Sequence, residues 1–120
     1  MNEPMTLRIH EIVRQEICVS TDDGQKVFER ISAALSNNNK VVVSFLNVGS
    51  LTSAFLYVSI GNLYGKFSES QIRSSLEFSD LSYEDQILLK RVVENAKEYF
   101  KDPERYERVL REVMEDEDDF

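Results

Sequence analysis

The residue types that usually carry covalent or metal chemistry are scarce in this chain. It holds one histidine, His10, and one cysteine, Cys18. A Cys/His metal cage or a multi-histidine site needs more ligands than that, and a single cysteine cannot close an internal disulfide. There is no GxxxxGK[ST] run for phosphates, no GxSxG elbow and no HExxH pair. His10 falls in a predicted strand with no nucleophile beside it, which suits a structural or exposed residue better than a general base. Cys18 precedes a predicted helix start, where a thiol pKa can be lowered, although a small buried apolar role suits it as well.

The hydroxyl pair Thr52-Ser53 carries more information, because it stands where a loop runs into a predicted helix. A serine at a helix N-terminus lies beside unpaired backbone amides and the positive end of the helix dipole, so a phosphate attached there has donors nearby. Such a group adds about −1.5 to −2 charge and changes the local surface without unfolding a domain. The plain alternative is that Thr52 or Ser53 is an ordinary N-cap, which any helix favours. A nucleophilic role for Ser53 would require a general base within hydrogen-bond reach, and the only histidine lies on a different predicted strand.

Elements of alternating type must position that pair. Residues Met5 to Val13 alternate imperfectly and predict a half-buried strand, which Ile17 to Val19 extends or pairs with. Ser20-Thr21-Asp22-Asp23 opens a helix, with Val27, Phe28, Ile31, Ala34 and Leu35 at helical spacing and a stop at Ser36-Asn37-Asn38-Asn39. Lys40 to Leu46 is short, β-branched and almost continuously apolar, which predicts a central strand covered on both faces. A second helix is predicted from Thr52 or Ser53, with Leu56, Ile60, Leu63, Tyr64 and Phe67 on one face. Gly61 and Gly65, one turn apart, either let its backbone approach the sheet or mark fraying.

A third strand is predicted over Ile72 to Phe78. Ser82 with Asp85 forms a capping box for a helix whose face uses Ile87, Leu88, Val92, Ala96, Tyr99 and Phe100. Asp102-Pro103-Glu104 starts a last helix, with Pro103 where its missing N–H costs nothing. Tyr106, Val109, Leu110, Val113 and Met114 form a stripe along it that either packs on the domain or serves a dimer or a partner. The order of strands and helices predicts an α/β fold, a mixed, largely parallel sheet with at least one helix-covered face.

Val41 to Gly61, VVVSFLNVGSLTSAFLYVSIG, combines these features, and it resembles the STAS domains of bacterial anti-sigma-factor antagonists. Those have an apolar strand, a loop and an Asp-Ser-Ser-Gly-Leu type motif at a helix N-terminus. Aligned without gaps, Thr52 falls on the motif's Asp, Ser53 on the serine that partner kinases phosphorylate, Ala54 on the second serine, Phe55 on the glycine and Leu56 on the leucine. The segment is more similar still to the uncharacterised STAS-like group, through Thr52-Ser53-Ala54-Phe55-Leu56 and the later Gly61. Thr52 in place of the acid and Phe55 in place of the glycine depart from the first pattern, as do two extra C-terminal helices. The resemblance implies a single STAS-like domain over residues 1–114, with a core at 5–100 and a C-terminal helix at 103–114, followed by an acidic tail at 115–120.

It also implies a non-catalytic regulatory module of partner-switching type. Ser53 is the phosphoacceptor candidate, and Thr52, Ser53 and Phe55 are the partner-binding candidates. The implied partner is a histidine-kinase-like ATPase or anti-sigma factor encoded separately, and no cofactor or metal is expected. A small-ligand or nucleotide-binding module is the alternative, since an open α/β sheet offers a crevice at its carboxyl strand ends. A structural or dimerisation protein is another.

Composition bounds these readings. The 120 residues are 42% hydrophobic and 30% charged, enough for about one globular domain. Of 22 acids, five lie between Glu115 and Asp119, so the rest of the chain sets 17 acids against 14 bases, a net of −3 rather than −8. No basic stripe is present to neutralise phosphates, which argues against nucleic acid. No apolar run approaches the ~18 residues of a membrane span, and Glu3, Arg8, His10, Glu11 and Arg14 occupy the place of a signal peptide's apolar centre. A cytoplasmic protein is expected. The tail is either a solvated end or an acidic docking segment.

Overall fold

A computed structural model describes residues 3–13, 17–18, 20–104, 108 and 111–112. Strand β1 (Met5–Arg8) runs into a short helix α1 (Ile9–Val13), followed by β2 (Ile17–Cys18) and α2 (Thr21–Ser36). Next come β3 (Val41–Ser44), β4 (Ser50–Leu51) and α3 (Ser53–Ser59), then a 3₁₀ helix at Gly61–Gly65. Helix α4 (Glu69–Ser75), β5 (Leu76–Ser79) and α5 (Tyr83–Lys101) complete the order. This is the α/β fold predicted from the alternation of elements. All pairings among the described strands are parallel: a three-stranded sheet in the order β1-β3-β5, and a separate pair of β2 with β4.

Strand β3 is central, as its apolar run predicts, and its register sets Leu7, Val43 and Phe78 in one row and Met5, Val41 and Leu76 in another. Leu7, Val41, Val43 and Leu76 are buried in the core, on the face that meets the helices. The opposite face is not covered in the same way. Val42 is only half-buried there, between exposed Thr6 and Glu77, which corrects the expectation of two covered faces. The strand also stops sooner than predicted. It ends at Ser44, and Leu46 stands 49% exposed in the turn beyond it.

Helix α2 begins where predicted: Ser20 is the N-cap, its hydroxyl accepting from the Asp22 and Asp23 amides at 3.1 and 3.4 Å. It ends where predicted too, with Asn38 at φ 61°, a left-handed turn that asparagine adopts readily. Val27, Ile31, Ala34 and Leu35 are buried, and the helix packs on β1, β3 and α3. Gly24 allows the last of these contacts. A Cβ there would meet the Phe55 carbonyl oxygen at 3.0 Å and the Val58 Cβ at 3.2 Å.

Three further boundaries differ from the sequence expectation, and so does one strand pairing. The N-terminal strand gives way to α1 after Arg8, so Val13 is buried from a helix, and β2 pairs with β4 instead of β1. The helix that begins after Thr52 is interrupted: the Ser59 hydroxyl bonds back to the Phe55 carbonyl at 2.8 Å, and the chain tightens into the 3₁₀ turn. Gly61 and Gly65 therefore approach α5 and not the sheet, facing Ala96 and the Phe100 ring. Ile72 lies in α4 and not in the third strand, because Ser68 caps that helix by accepting from the Gln71 amide at 3.1 Å.

Helix α5 opens at the predicted cap, Ser82 accepting from the Asp85 amide at 3.1 Å. Its buried face is Leu89, Val92 and Ala96, packed against α3 and the 3₁₀ helix, while Ile87 is 45% exposed. The predicted face was thus turned by part of a step. Pro103 and Glu104 are helical, but Tyr106, Val109, Leu110, Val113 and Met114 and the acidic tail lie outside the described residues. No described helix is long and apolar enough to cross a membrane.

One charged contact ties α4 to α5. Lys97 donates to Glu69 at 2.9 Å, Arg73 to the same carboxylate at 3.2 Å, and the Lys97 ammonium lies 5.6 Å from the Tyr64 ring centroid. The Lys97 hydrogen bond, with its charge, holds the Glu69 carboxyl below its ordinary pKa.

Two outcomes follow for stability. Alanine is the better helix former by ~1 kcal/mol, yet Gly24→Ala is expected to destabilise the protein by about 1 kcal/mol net in urea unfolding, because the backbone carbonyl of Phe55 cannot swing aside. A depressed carboxyl pKa contributes stability above its unfolded value that is lost as pH falls through the folded one. Glu69→Gln should therefore be less stable than wild type at neutral pH, and melting curves of the two should converge as pH falls through and below the ordinary glutamate range.

Candidate functional site

The carboxyl end of the three-stranded sheet gathers the segment that the sequence singles out. After β3, Phe45 turns inward to 3% exposure and donates its amide to the Ser79 carbonyl at 3.0 Å, continuing the ladder by one bond. Asn47, at φ 65°, reverses the chain within a turn closed by the Val48 amide on the Phe45 carbonyl at 3.1 Å. Strand β4 then pairs Ser50 and Leu51 with Ile17 and Cys18, which fixes the approach to α3.

Thr52 is the N-cap of α3. Its backbone is extended, and its Oγ1 accepts from the Phe55 amide at 3.2 Å while its carbonyl accepts from Leu56. Ser53 is the first residue of the helix, exposed, and its hydroxyl makes no hydrogen bond among the described residues. The two hydroxyls that the sequence left interchangeable as caps are thus distinguished by position. Thr52 closes the helix, and Ser53 presents its oxygen outward.

Phe55 has the opposite fate. It is fully buried, as is Leu56, both inside the core cluster. The expectation of Phe55 as a partner-binding residue is corrected on this point: a side chain with no exposed surface cannot touch a partner. Its contribution is to anchor α3, and truncating a buried phenylalanine costs ~3–5 kcal/mol. The exposed residues of this first turn are instead Ser53 itself and Ala54.

A polar bracket that sequence patterns do not reveal holds the base of this platform. Ser44 and Ser79 are register partners at the ends of β3 and β5, and both donate to Asp80 Oδ2, at 2.8 and 3.0 Å. Ser44 Oγ also accepts from the Leu46 amide at 3.3 Å. Asp80 sits at φ 63°, a left-handed conformation more accessible to aspartate than to most residues. The one available signal was weak: Ser-Asp following a short apolar strand marks a turn and no more. His10 lies half-buried in α1, and Cys18 is in β2. No group of three His, Cys, Asp or Glu side chains gathers as a metal set among the described residues.

With this geometry in place, comparison with protein families is specific. The family model described as a STAS-like domain of unknown function matches residues 23–86, from the first turn of α2 to the first turn of α5. That is more than half of the chain, and the chain belongs to this family. No curated protein and no solved structure matches it.

The division of labour at the helix start is measurable. Thr52→Ala should cost about 1 kcal/mol through loss of the cap, whereas Ser53→Ala should shift stability by less than about 0.5 kcal/mol. Urea unfolding of both variants checks this, and equal losses would contradict the assignment of the cap.

Proposed function

We propose that the chain is a non-catalytic regulatory module of partner-switching type, in which the surface around Ser53 binds a protein partner and phosphorylation of Ser53 releases it. The observation that carries this reading is the position of Ser53: exposed, at the first residue of the helix after the central strand, with the capping duty taken by Thr52. A hydroxyl free of structural work can be modified without removing a fold contact. The added charge stays in water, where it incurs no burial penalty.

Membership of the STAS-like family supports the reading at the level of fold, and the match includes the whole segment around Ser53. The partner in this proposal is a histidine-kinase-like ATPase or anti-sigma factor, which also supplies the phosphate, so no nucleotide chemistry is required of this chain. Ser53, with the exposed Ala54 beside it, is the part of the contact that a charge can disturb. Phe55 and Leu56, two and three residues on from Ser53, are buried in the core cluster and anchor the helix that carries it.

Trypsin releases Val41 to Lys66 as one peptide, and mass spectrometry of protein purified from its native cells should find phosphate on Ser53 within it. With a partner identified by co-purification, Ser53→Asp is expected to weaken binding by roughly tenfold, or about 1.4 kcal/mol, with Ser53→Ala retaining it. Circular dichroism melts on the same samples should coincide. Equal affinities for all three forms would overturn the proposal, and a large loss of melting temperature in Ser53→Asp would make the site structural.

A further inference from the structure

A second feature lies at the end of β5, independent of Ser53. Between the carboxyl end of that strand, the 3₁₀ helix and α5 runs a groove of about 490 Å³, within the range of small-molecule sites. It stands where open parallel sheets receive ligands, beyond the carboxyl ends of the strands. Its apolar lining is Phe78, Leu81, Leu89 and Val93, with Tyr64 at one wall, and its charged groups are Asp80 and Lys90.

The two charged groups are unequally prepared. Asp80 is held in place: Oδ2 takes the Ser79 hydroxyl and that of Ser44, a residue only 3% exposed, while Oδ1 accepts no hydrogen bond among the described residues. Its left-handed backbone is the kind of local strain that functional positions retain. Lys90 forms no ion pair among the described residues, with Asp80 or any other carboxylate, in contrast to Lys97, which is committed to Glu69. Burial raises the Tyr64 phenol above its ordinary pKa, and the charged groups that act on it are Lys97, Glu69 and Arg73, so Tyr64 adds no charge to the groove.

We propose that this groove binds a small zwitterion with an apolar body, of the free amino-acid class, its ammonium on Asp80, its carboxylate on Lys90 and its side chain on the apolar lining. A ligand of that kind supplies both absent counterions at once, and charge-assisted hydrogen bonds are the stronger ones. A phosphorylated ligand fits less well. The lining offers it one cation, and the fixed Asp80 carboxylate repels it.

The test titrates L-phenylalanine into the purified full chain by calorimetry, beside 3-phenylpropanoate, which lacks the ammonium, and 2-phenylethylamine, which lacks the carboxylate. Saturable binding of L-phenylalanine is expected at millimolar or lower concentration, with each analogue at least tenfold weaker. Asp80→Asn should erase the advantage over 3-phenylpropanoate only, and Lys90→Met the advantage over 2-phenylethylamine only. Asparagine tolerates the left-handed backbone and still accepts the serine hydroxyls, and methionine keeps the apolar stem, so melting curves should stay close to wild type. Failure of L-phenylalanine, L-tyrosine and L-leucine all to bind the wild-type protein would overturn the proposal. Equal affinity for the three phenyl compounds would also overturn it, and both outcomes are read without any variant.

Discussion

The constraint from which the rest of this structure follows is the pairing of β3 with a parallel neighbour on each side. Parallel strands cannot be joined by a tight turn, so every connection must leave the sheet and return, and helices are the usual means. Here the return from β1 to β3 runs through α2, and that from β3 to β5 runs through α3, the 3₁₀ helix and α4. The row Leu7, Val43 and Phe78 gives those helices an apolar face to cover. Removing β3 would leave β1 and β5 without a common partner and α2 without the sheet that it packs on.

The same topology brings the chemistry to one end. In a parallel sheet every strand delivers its loop at the carboxyl edge, so the turn after β3 and the turn after β5 become neighbours although 36 residues separate Ser44 from Asp80. Their hydrogen bond, the Phe45 amide on the Ser79 carbonyl and the β2–β4 pair immobilise the chain on its way to Ser53. A close approach at Gly24 then seats α3 against α2. The exposed serine therefore stands on a helix that is held from below by Phe55 and Leu56 and from the side by Gly24. Such a mounting suits a surface that must change its charge and keep its shape.

Packing also separates the two candidate sites. The groove beside Asp80 draws its walls from β5, α5 and the 3₁₀ helix, whereas Ser53 lies at the start of α3. The bracket of Ser44, Ser79 and Asp80 belongs to the first of these, through Asp80.

Much of this was written locally in the sequence. The caps at Ser20 and Ser82 and the asparagine stop after α2 act over three or four residues, and the apolar run of Val41 to Val43 marks a central strand, though not that one of its faces stays open, so these were legible without the fold. The Ser68 to Gln71 cap of α4 is equally local, and the reading of Ile72 to Phe78 as a strand passed over it. Other features depended on partners distant in the chain. Which stripe of α5 is buried was decided by Gly61 facing Ala96, since both Ile87 and Leu89 offer apolar surface. Whether Thr52 or Ser53 caps α3 depended on where β4 releases the chain. Phe55 matched a motif position by type alone, and tertiary packing turned it into the core. The Asp80 bracket joins residues with no pattern between them, because parallel topology relates them through space and leaves no periodicity for a sequence to carry.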